Sequence, residues 1–275
     1  MPSVDEQLTL TIPKTAPVKG ALDLDSVQQY GHSLGLPELR AWLHKFTRDV
    51  YAPAYANYEV LLHEGNTAGW AKLCRLLLDP GDYVIVEEFS FPSSFGPWVP
   101  EGCKGVPIKM DEHGMRADDL ERVLSEWDTT HPSERRPHVM YTISVGQNPC
   151  GTSMPAERMR DVYEVCRKHD IIVVEDSPYH TLSFRDFEIT PEPVEPTPMS
   201  GDEFRKTLAP SYLKFDYEGR VIRLDSFSKV RTCFSLHRPE REERRAASPD
   251  PVLSPLADAR TRFSPRVLRR QPDLH

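Results

Sequence analysis

Between residues 58 and 228, short apolar runs alternate with segments of helical periodicity, and this alternation restricts the fold more than any other feature of the chain. Residues 171–174 form a continuous β-branched run, which is typical of a strand buried on both faces of a parallel sheet. The segment 155–169 has its apolar residues at helical spacing, with Pro155 in the first turn. We therefore predict an α/β fold with a doubly wound, mostly parallel sheet.

The apolar runs give the expected positions of the strands. Strands are predicted at residues 58–63, 82–87, 105–109, 138–144, 171–175 and 220–225. In doubly wound sheets, ligands bind beyond the carboxyl ends of the strands. We therefore expect the functional residues in the loops that follow these runs.

Three stretches lack the alternation. Residues 1–26 are predicted to form an N-terminal arm with little core of its own, and the Pro-rich residues 190–198 to form an extended surface insertion. From residue 230 onwards the chain has no Gly, Lys or Tyr and is rich in Arg and Pro. The predicted organisation is therefore an arm at 1–26, a large domain at 27–229 and a divergent tail at 230–275 that is disordered or only locally helical.

The bulk composition argues against several classes of partner. A net charge of −8 offers no domain-wide basic face, so nucleic acid is not expected as the main partner. No run approaches the roughly 18 apolar residues of a membrane span, and the N-terminus lacks the pattern of a secretory signal. The five cysteines are scattered without a C-x-x-C pair, which favours reduced thiols over a disulfide scaffold or a zinc site. We expect a cytoplasmic protein with neither a membrane nor a metal partner.

Two motifs follow predicted strands and offer polar groups to a ligand. Residues 65–67, Gly-Asn-Thr, open a predicted helix, where free backbone N–H groups suit a phosphate, although a plain helix cap at Asn66 or Thr67 is the simpler interpretation. Asn148 lies in an Asn-Pro-Cys-Gly turn that could be structural only, or could direct an amide at a ligand. Each motif alone is ambiguous.

Charged residues at the ends of two predicted strands carry the sharper hypotheses. Glu175 and Asp176 end a buried strand, where an acid needs a partner; this could be a salt bridge, a helix cap, or a cationic ring nitrogen. Lys229 follows the last predicted strand. It could be a solvated charge, or a desolvated lysine with a lowered pKa that attacks carbonyls.

Taken in order, these motifs resemble those of the fold-type I pyridoxal-phosphate aminotransferases of classes I and II, over about residues 22–229. The motifs are Gly-Asn-Thr at 65–67, Asn-Pro-Cys-Gly-Thr at 148–152, Glu-Asp-Ser-Pro-Tyr at 175–179 and Ser-Phe-Ser-Lys at 226–229. The closest likeness is to the fungal aromatic amino acid and 2-aminoadipate aminotransferases. The resemblance implies transamination between an amino acid and a 2-oxo acid with pyridoxal 5′-phosphate as cofactor.

The resemblance also implies roles around the cofactor ring. Lys229 corresponds to the lysine that bonds to the cofactor aldehyde and moves the proton between the substrate Cα and the cofactor C4′. Asp176 corresponds to the carboxylate that pairs with the ring nitrogen and keeps it protonated. Asn148 and Tyr179 correspond to the pair that hydrogen-bonds the ring 3′-oxygen, and Phe91 falls where the family stacks an aromatic ring on the cofactor.

The phosphate ligands implied by the resemblance come from both ends of the chain. Thr67 and the backbone around Asn66, together with Ser226 and Ser228, correspond to groups that bind the phosphate. Tyr30, in the sequence Gln-Tyr-Gly, matches a tyrosine that reaches the phosphate of the partner subunit. The family assignment therefore implies a homodimer.

After Lys229 the chain departs from the family pattern. The expected Gly/Leu/Arg segment, with its phosphate-binding arginine and a strand between the runs at 58–63 and 220–225, is not recognisable. We therefore expect an incomplete large domain without the C-terminal small domain, with unpaired strand edges and doubtful activity. Two alternatives stay open: another fold-type I enzyme, such as a carbon–sulfur lyase or a relative of aminocyclopropane-carboxylate synthase, and a non-catalytic remnant that binds cofactor or pairs with a full-length subunit.

Overall fold

A parallel β-sheet forms the centre of the computed structural model, which describes residues 11–15, 23–182 and 200–229. The strands, in chain order, are β1 (Tyr83–Glu87), β2 (Lys104–Ile108), β3 (Met110–Asp111), β4 (Gly114–Met115), β5 (Val139–Thr142), β6 (Ile172–Asp176) and β7 (Val221–Leu224). Five of them form the parallel sheet in the order β2-β1-β5-β6-β7, and β3 and β4 form a separate antiparallel pair. The order places the carboxyl ends of β5, β6 and β7 side by side.

Helices connect the strands and cover the sheet. They are α1 (Leu24–Val27), α2 (Pro37–Tyr51), α3 (Asn66–Leu77), α4 (Ala117–Ser125), α5 (Trp127–Thr130), α6 (Ala156–Lys168) and α7 (Gly201–Thr207), with 3₁₀ turns at Pro92–Ser94 and Tyr212–Lys214. Their ends follow simple local rules. Pro37 occupies the first turn of α2, and α7 begins with a capping box in which Ser200 and Glu203 bond reciprocally.

The strands divide their side chains between two apolar clusters, one on each face of the sheet. Ile85, Met140 and Val173 belong to the cluster that includes residues of α4 and α6, whereas Val84 and Val174 belong to the cluster that includes residues of α3. Because side chains alternate along a strand, neighbouring residues of one apolar run serve both clusters. Each fully buried Val, Ile or Met side chain contributes about 1.5–3 kcal/mol to this core.

The predicted fold class is confirmed, with helices on both faces of a mostly parallel sheet. One predicted strand is wrong, because residues 58–63 are not a strand. Their backbone groups bond elsewhere: the carbonyl of Val60 accepts from Arg40 Nε at 2.8 Å, and the N–H of Leu62 donates to the carbonyl of Leu34 at 3.0 Å. Pro155 is the N-cap of α6 and not a first-turn residue.

The sheet ends at β7 among the described residues, where β7 pairs with β6 alone. No strand among the described residues lies beyond β7 to pair with both β7 and residues 58–63. A strand needs a hydrogen-bonded neighbour, which explains why the first predicted strand does not form. No helix in the described ranges is both long and apolar enough to cross a bilayer.

Several domain predictions concern residues outside those described. The described residues belong to one structural unit, Met1–Phe234, and the second unit, Ser235–His275, lies outside them. The predicted insertion at 190–198, the tail at 230–275 and most of the arm at 1–26 are likewise outside the described residues. Within the arm, α1 buries none of its residues.

Candidate active site

The start of α3 is joined to the carboxyl ends of two neighbouring strands. Asp176 ends β6 and is in register with Leu224, the last residue of β7. Asn66, the first residue of α3, donates from Nδ2 to Asp176 Oδ1 at 2.7 Å and to the carbonyl oxygen of Leu224 at 3.0 Å. One amide group thus fixes the helix start against both strand ends.

Asp176 is a buried carboxylate held by neutral donors. The residue is only 7% exposed, and Tyr141 Oη donates to Asp176 Oδ2 at 2.5 Å. Burial raises the pKa of Asp176 above its usual value, while the hydrogen bonds from Tyr141 and Asn66 oppose that rise. Asp176 therefore accepts hydrogen bonds within the described residues without forming a direct ion pair, unlike the salt bridge considered from the sequence.

The loop after β5 brings Asn148 to Tyr179. Asn148 Nδ2 donates to Tyr179 Oη at 3.4 Å. The loop is anchored by Gln147, which donates from Nε2 to Glu87 Oε2 at 3.0 Å and accepts from the N–H of Cys150 at 2.8 Å. The turn is therefore structural, as its sequence allows, and at the same time presents Asn148 to Tyr179.

Gly146 permits the close packing of Tyr179 against this loop. Its φ is +61°, and a Cβ atom at this position would lie 3.1 Å from Tyr179 Cβ. A larger residue would meet both backbone strain and a steric conflict with the tyrosine. The glycine thus contributes to the placement of Tyr179.

The first turn of α3 has no side-chain cap. Gly65, with φ +135°, is the N-cap, so the expectation that Asn66 or Thr67 caps the helix is wrong. The N–H groups of Asn66 and Thr67 make no hydrogen bond with the described part of the chain, and Thr67 is exposed. Unpaired N–H groups at the positive end of a helix suit an anion.

The segment that ends at Lys229 follows β7 at the same edge of the sheet. The N–H of Ser228 donates to Ser226 Oγ at 3.0 Å, and the Oγ atoms of these two serines lie 2.9 Å apart. Lys229 is exposed and makes no hydrogen bond or ion pair with the described residues. Asp176 thus ends β6, and Lys229 follows the adjacent parallel strand β7.

Phe91 and Tyr30 lie in different settings. Phe91 is partly buried and packs, as does Tyr179, against the apolar cluster that includes Tyr141 and residues of α3. Tyr30 is fully exposed. Its assignment to the phosphate of a partner subunit stays a prediction.

Glu175, which precedes Asp176 in β6, forms a buried ion pair with Arg223. The sequence predicts that an acid at this strand end needs a partner but does not identify the cation. Glu175 accepts from the hydroxyls of Ser144 and Ser211, each at 2.6 Å, and Arg223 Nη1 lies 2.9 Å from Glu175 Oε2, too far off line for an aligned hydrogen bond. Burial raises the pKa of Glu175, but Arg223 and the two hydroxyls outweigh it, so the pKa lies below its usual value. The expectation that an acid at this strand end needs a cation holds for Glu175, whose partner Arg223 also lies 3.8 Å from the Tyr51 ring centroid.

Tyr141 is the site residue that the sequence motifs did not indicate. It lies inside β5 and none of the four motifs contains it. The alternation of side chains along β5 indicates that Tyr141 lies on the α3 face, which it shares with Val139, Ile143 and Val174. Only the pairing register of β5 and β6 shows that its hydroxyl reaches Asp176.

A cavity of about 210 Å³ lies near the residues that precede β1 and β2. Its lining is Cys74, Arg75, Leu78, Pro80, Pro97, Trp98, Glu101 and Cys103. None of the predicted site residues lines it. The candidate site is therefore the carboxyl edge of the sheet and not this cavity.

Known proteins match most of this chain. Residues 3–232 match the family model described as aminotransferase class I and II. An aromatic amino acid aminotransferase of Schizosaccharomyces pombe is 37% identical over 222 residues, which cover 81% of this chain and 47% of that protein. A mitochondrial kynurenine/α-aminoadipate aminotransferase of Bos taurus is 34% identical over 212 residues, covering 74% and 45%.

A solved structure gives the same result for the fold. The crystal structure of aminotransferase Aro8 from Candida albicans matches with a TM-score of 0.72 and 36% identity, covering 80% of this chain and 45% of that one. The chain thus spans about half the length of the curated relatives it matches.

Proposed function

The chain belongs to the class I and II aminotransferases, and we propose that it is built to bind pyridoxal 5′-phosphate and to transfer an amino group between an amino acid and a 2-oxo acid. One observation carries this proposal. Asp176, a buried carboxylate held by Tyr141 and Asn66, ends the strand beside the one that leads to Lys229. A carboxylate and an amine at one sheet edge are the two groups that the cofactor ring and its aldehyde require.

The polar groups of the site suit this cofactor. When bound, pyridoxal 5′-phosphate supplies an aldehyde that bonds to an amine and a ring that accepts electrons. The uncapped N–H groups of Asn66 and Thr67 would bind its phosphate, assisted by Ser226 and Ser228. In addition, Asn66 Oδ1 is buried without a hydrogen-bond partner among the described residues, so the site retains unused polar capacity.

The remaining residues have distinct proposed tasks. Asp176 would hold the proton on the ring nitrogen, and Asn148 with Tyr179 would hold the ring 3′-oxygen. Phe91 would stack on the ring. Lys229 would bond to the aldehyde and, once released as a free amine, would take the proton from the α-carbon of the substrate.

A second subunit belongs to the proposed active unit. Tyr30 is fully exposed, as a tyrosine that reaches a partner subunit must be before assembly. We propose a homodimer in which Tyr30 reaches the phosphate of the other subunit.

The substrates are proposed from the relatives. Those at 37% and 34% identity are named for aromatic amino acids and for kynurenine and α-aminoadipate, which favours an aromatic or 2-aminoadipate-type amino donor. A second candidate function, cofactor binding without turnover, is favoured by the exposure of Lys229, because an exposed side chain is not held in one position towards a substrate. A cytoplasmic location stays a prediction, since the Bos taurus relative is named as mitochondrial.

The test is covalent capture of the cofactor. The purified chain is incubated with pyridoxal 5′-phosphate, reduced with borohydride and digested, and mass spectrometry locates the phosphopyridoxyl group. We expect the label on Lys229, its loss in Lys229→Ala, and no change in Lys206→Ala, which removes an exposed lysine of α7. Label spread over several lysines, or none, would overturn the proposal.

Turnover is measured separately from capture. An aromatic amino acid is added to the loaded chain, and the 2-oxo acid is quantified by chromatography. Formation of the 2-oxo acid supports the aminotransferase. Specific labelling of Lys229 without any 2-oxo acid supports the non-catalytic alternative.

A further inference from the structure

We propose, on the basis of the function proposed above, that Tyr141 is a positioning residue whose hydroxyl holds Asp176 as an oriented carboxylate for the ring nitrogen of the cofactor. Tyr141 belongs to none of the motifs that carry the family resemblance. Its assignment comes from strand register, hydrogen bonding and burial.

Strand pairing brings the two side chains together. Tyr141 of β5 is in register with Val174 of β6, and Asp176 lies two residues further along β6 on the same face. The side chain of Tyr141 spans this offset, and its Oη lies 2.5 Å from Asp176 Oδ2. This is the length of a strong hydrogen bond to an ionised oxygen.

The surroundings of Asp176 make this donor important. Burial raises the pKa of Asp176, and the charge of Asp225 adds to the rise. Tyr141 and Asn66 lower it by donating hydrogen bonds, and Arg223 lowers it through its charge, with the smallest influence of these groups. The ionised form of Asp176 therefore depends mainly on two neutral donors.

Tyr141 remains a donor under all ordinary conditions. Burial raises its pKa far above the usual value, and the nearby charges of Asp176 and Glu87 and the Tyr179 hydroxyl raise it further. Its ring is 1% exposed and packs against Trp70 with 5.0 Å between centroids, so its direction is fixed by the core. A protonated and rigidly held phenol therefore donates to the ionised carboxylate of Asp176, which has no proton to offer in return.

The direction of the effect follows from basicity. A hydrogen bond donated to a carboxylate makes that carboxylate less basic. A less basic Asp176 leaves the proton on the ring nitrogen and does not withdraw it. Loss of the Tyr141 hydroxyl would shift the proton towards Asp176 and weaken the charged contact.

The variant Tyr141→Phe removes one oxygen atom and keeps the ring in the core. Its matched control is Tyr163→Phe, because Tyr163 is also fully buried and donates to a buried aspartate, Asp216, at 3.0 Å outside the site. The affinity for pyridoxal 5′-phosphate is measured by absorbance titration at several pH values. We expect about tenfold weaker binding in Tyr141→Phe near neutral pH and a change of less than about twofold in the control.

The pH profile separates positioning from simple loosening of the site. In Tyr141→Phe the pH below which affinity falls should move up, because the pKa of Asp176 rises when its donor is lost. An equal loss of affinity at every pH would show a merely structural role and overturn the inference. Unchanged affinity in Tyr141→Phe would overturn it as well.

A measurement without cofactor distinguishes failure of the inference from failure of the proposed function. Carboxyl ¹³C NMR of the cofactor-free chain should show a higher pKa of Asp176 in Tyr141→Phe than in the wild-type chain, and no such rise in Tyr163→Phe. If the wild-type chain does not bind pyridoxal 5′-phosphate, the proposed function fails, and the role of Tyr141 towards a cofactor fails with it even when the NMR shift is present. If binding occurs and the NMR shift is missing, only the inference fails.

Discussion

Two buried tyrosine–aspartate pairs, in different parts of the molecule, differ in what else surrounds the carboxylate. On the α3 face of the sheet, Tyr141 donates to Asp176 at 2.5 Å. At the other face, Tyr163 of α6 donates to Asp216 at 3.0 Å. Both tyrosines are almost completely buried, and the aspartates are 7% and 2% exposed.

The difference lies in how many hydrogen bonds each carboxylate accepts. Asp216 also accepts from the N–H groups of Gly219, Arg220 and Val221 at 2.9–3.0 Å, so it fixes the turn that leads into β7. A carboxylate offers about four acceptor positions. Asp216 accepts four hydrogen bonds, three at Oδ1 and one at Oδ2, whereas Asp176 accepts only from Tyr141 and Asn66 within the described residues. A carboxylate that accepts four hydrogen bonds from the protein stabilises the local fold. One that accepts only two and lies at a sheet edge remains able to bind a ligand.

The largest loss of stability should come from removing the cationic partner of Glu175, another buried carboxylate that accepts several hydrogen bonds. Glu175 is adjacent to Asp176 in sequence but lies on the opposite face, and its cationic partner is Arg223. The variant Arg223→Met leaves Glu175 as a buried, uncompensated charge. We expect the free energy of unfolding, measured by urea denaturation, to fall by about 4 kcal/mol.

Arg220→Met is the matched control for this variant. Arg220 is only three residues away and pairs with Asp170 and Glu218, but its side chain is more exposed, so its loss should cost about 1 kcal/mol or less. Adding Glu175→Met to Arg223→Met should recover most of the loss, because the buried charge is then removed as well. Equal losses in Arg220→Met and Arg223→Met would show that burial of the pair is irrelevant.

The next effect concerns a carboxyl that accepts several hydrogen bonds but pairs with no cation in the described ranges of the chain. Glu87 is buried and accepts from Thr142 Oγ1, Gln147 Nε2 and the N–H of Ile143. Burial raises its pKa from 4.5 to about 7, against the opposing hydrogen bonds. Because the folded chain then holds a proton that the unfolded chain releases, stability is greatest below about pH 4.5 and is lost as the pH rises through about 7.

The expected loss from Glu87 over this window is about 3 kcal/mol of unfolding free energy. Urea denaturation from pH 4.5 to pH 8 should show this component as the difference between the wild-type chain and Glu87→Gln, which cannot titrate. Glu121→Gln is the contrasting variant, because Lys168 and its other hydrogen-bond partners outweigh burial and lower the pKa of Glu121 to about 2. Its component should appear only below pH 4.5, with stability lost as the pH falls. Parallel pH profiles for wild type and Glu87→Gln would contradict the raised pKa of Glu87.

The sequence predicts the two regions unequally, for physical reasons. The run at 171–174 locates β6 because continuous β-branched residues suit a strand buried on both faces. The prediction at 58–63 is wrong because strand formation needs a neighbour, which local composition does not report. Asn66 was expected to offer its backbone to a phosphate, but its side chain also joins Asp176 to β7, and this contact depends on how α3 meets the sheet.

The smallest change in stability is expected for Asp176, which accepts only two hydrogen bonds from the described residues. In Asp176→Asn, the amide oxygen can still accept from Asn66, and the new amide N–H can donate to Tyr141, whose hydroxyl also accepts. Because burial already raises the pKa of Asp176, replacing its charge with a neutral group should leave the unfolding free energy within about 1 kcal/mol of wild type or slightly above it.

Asp216→Asn is the matched change at the carboxylate that accepts four hydrogen bonds. Three of its four donors are backbone N–H groups, which cannot become acceptors, so one of them should face an amide N–H and stability should fall by about 2 kcal/mol. Affinity for pyridoxal 5′-phosphate should show the reverse order, with a loss of about tenfold or more in Asp176→Asn, because the proposed partner of the ring nitrogen loses its charge, and little change in Asp216→Asn. Urea denaturation and cofactor titration of the two variants side by side therefore test the distinction directly. If Asp176→Asn were the more damaging to stability, or Asp216→Asn to cofactor binding, the number of accepted hydrogen bonds would not distinguish a structural carboxylate from a ligand-binding one.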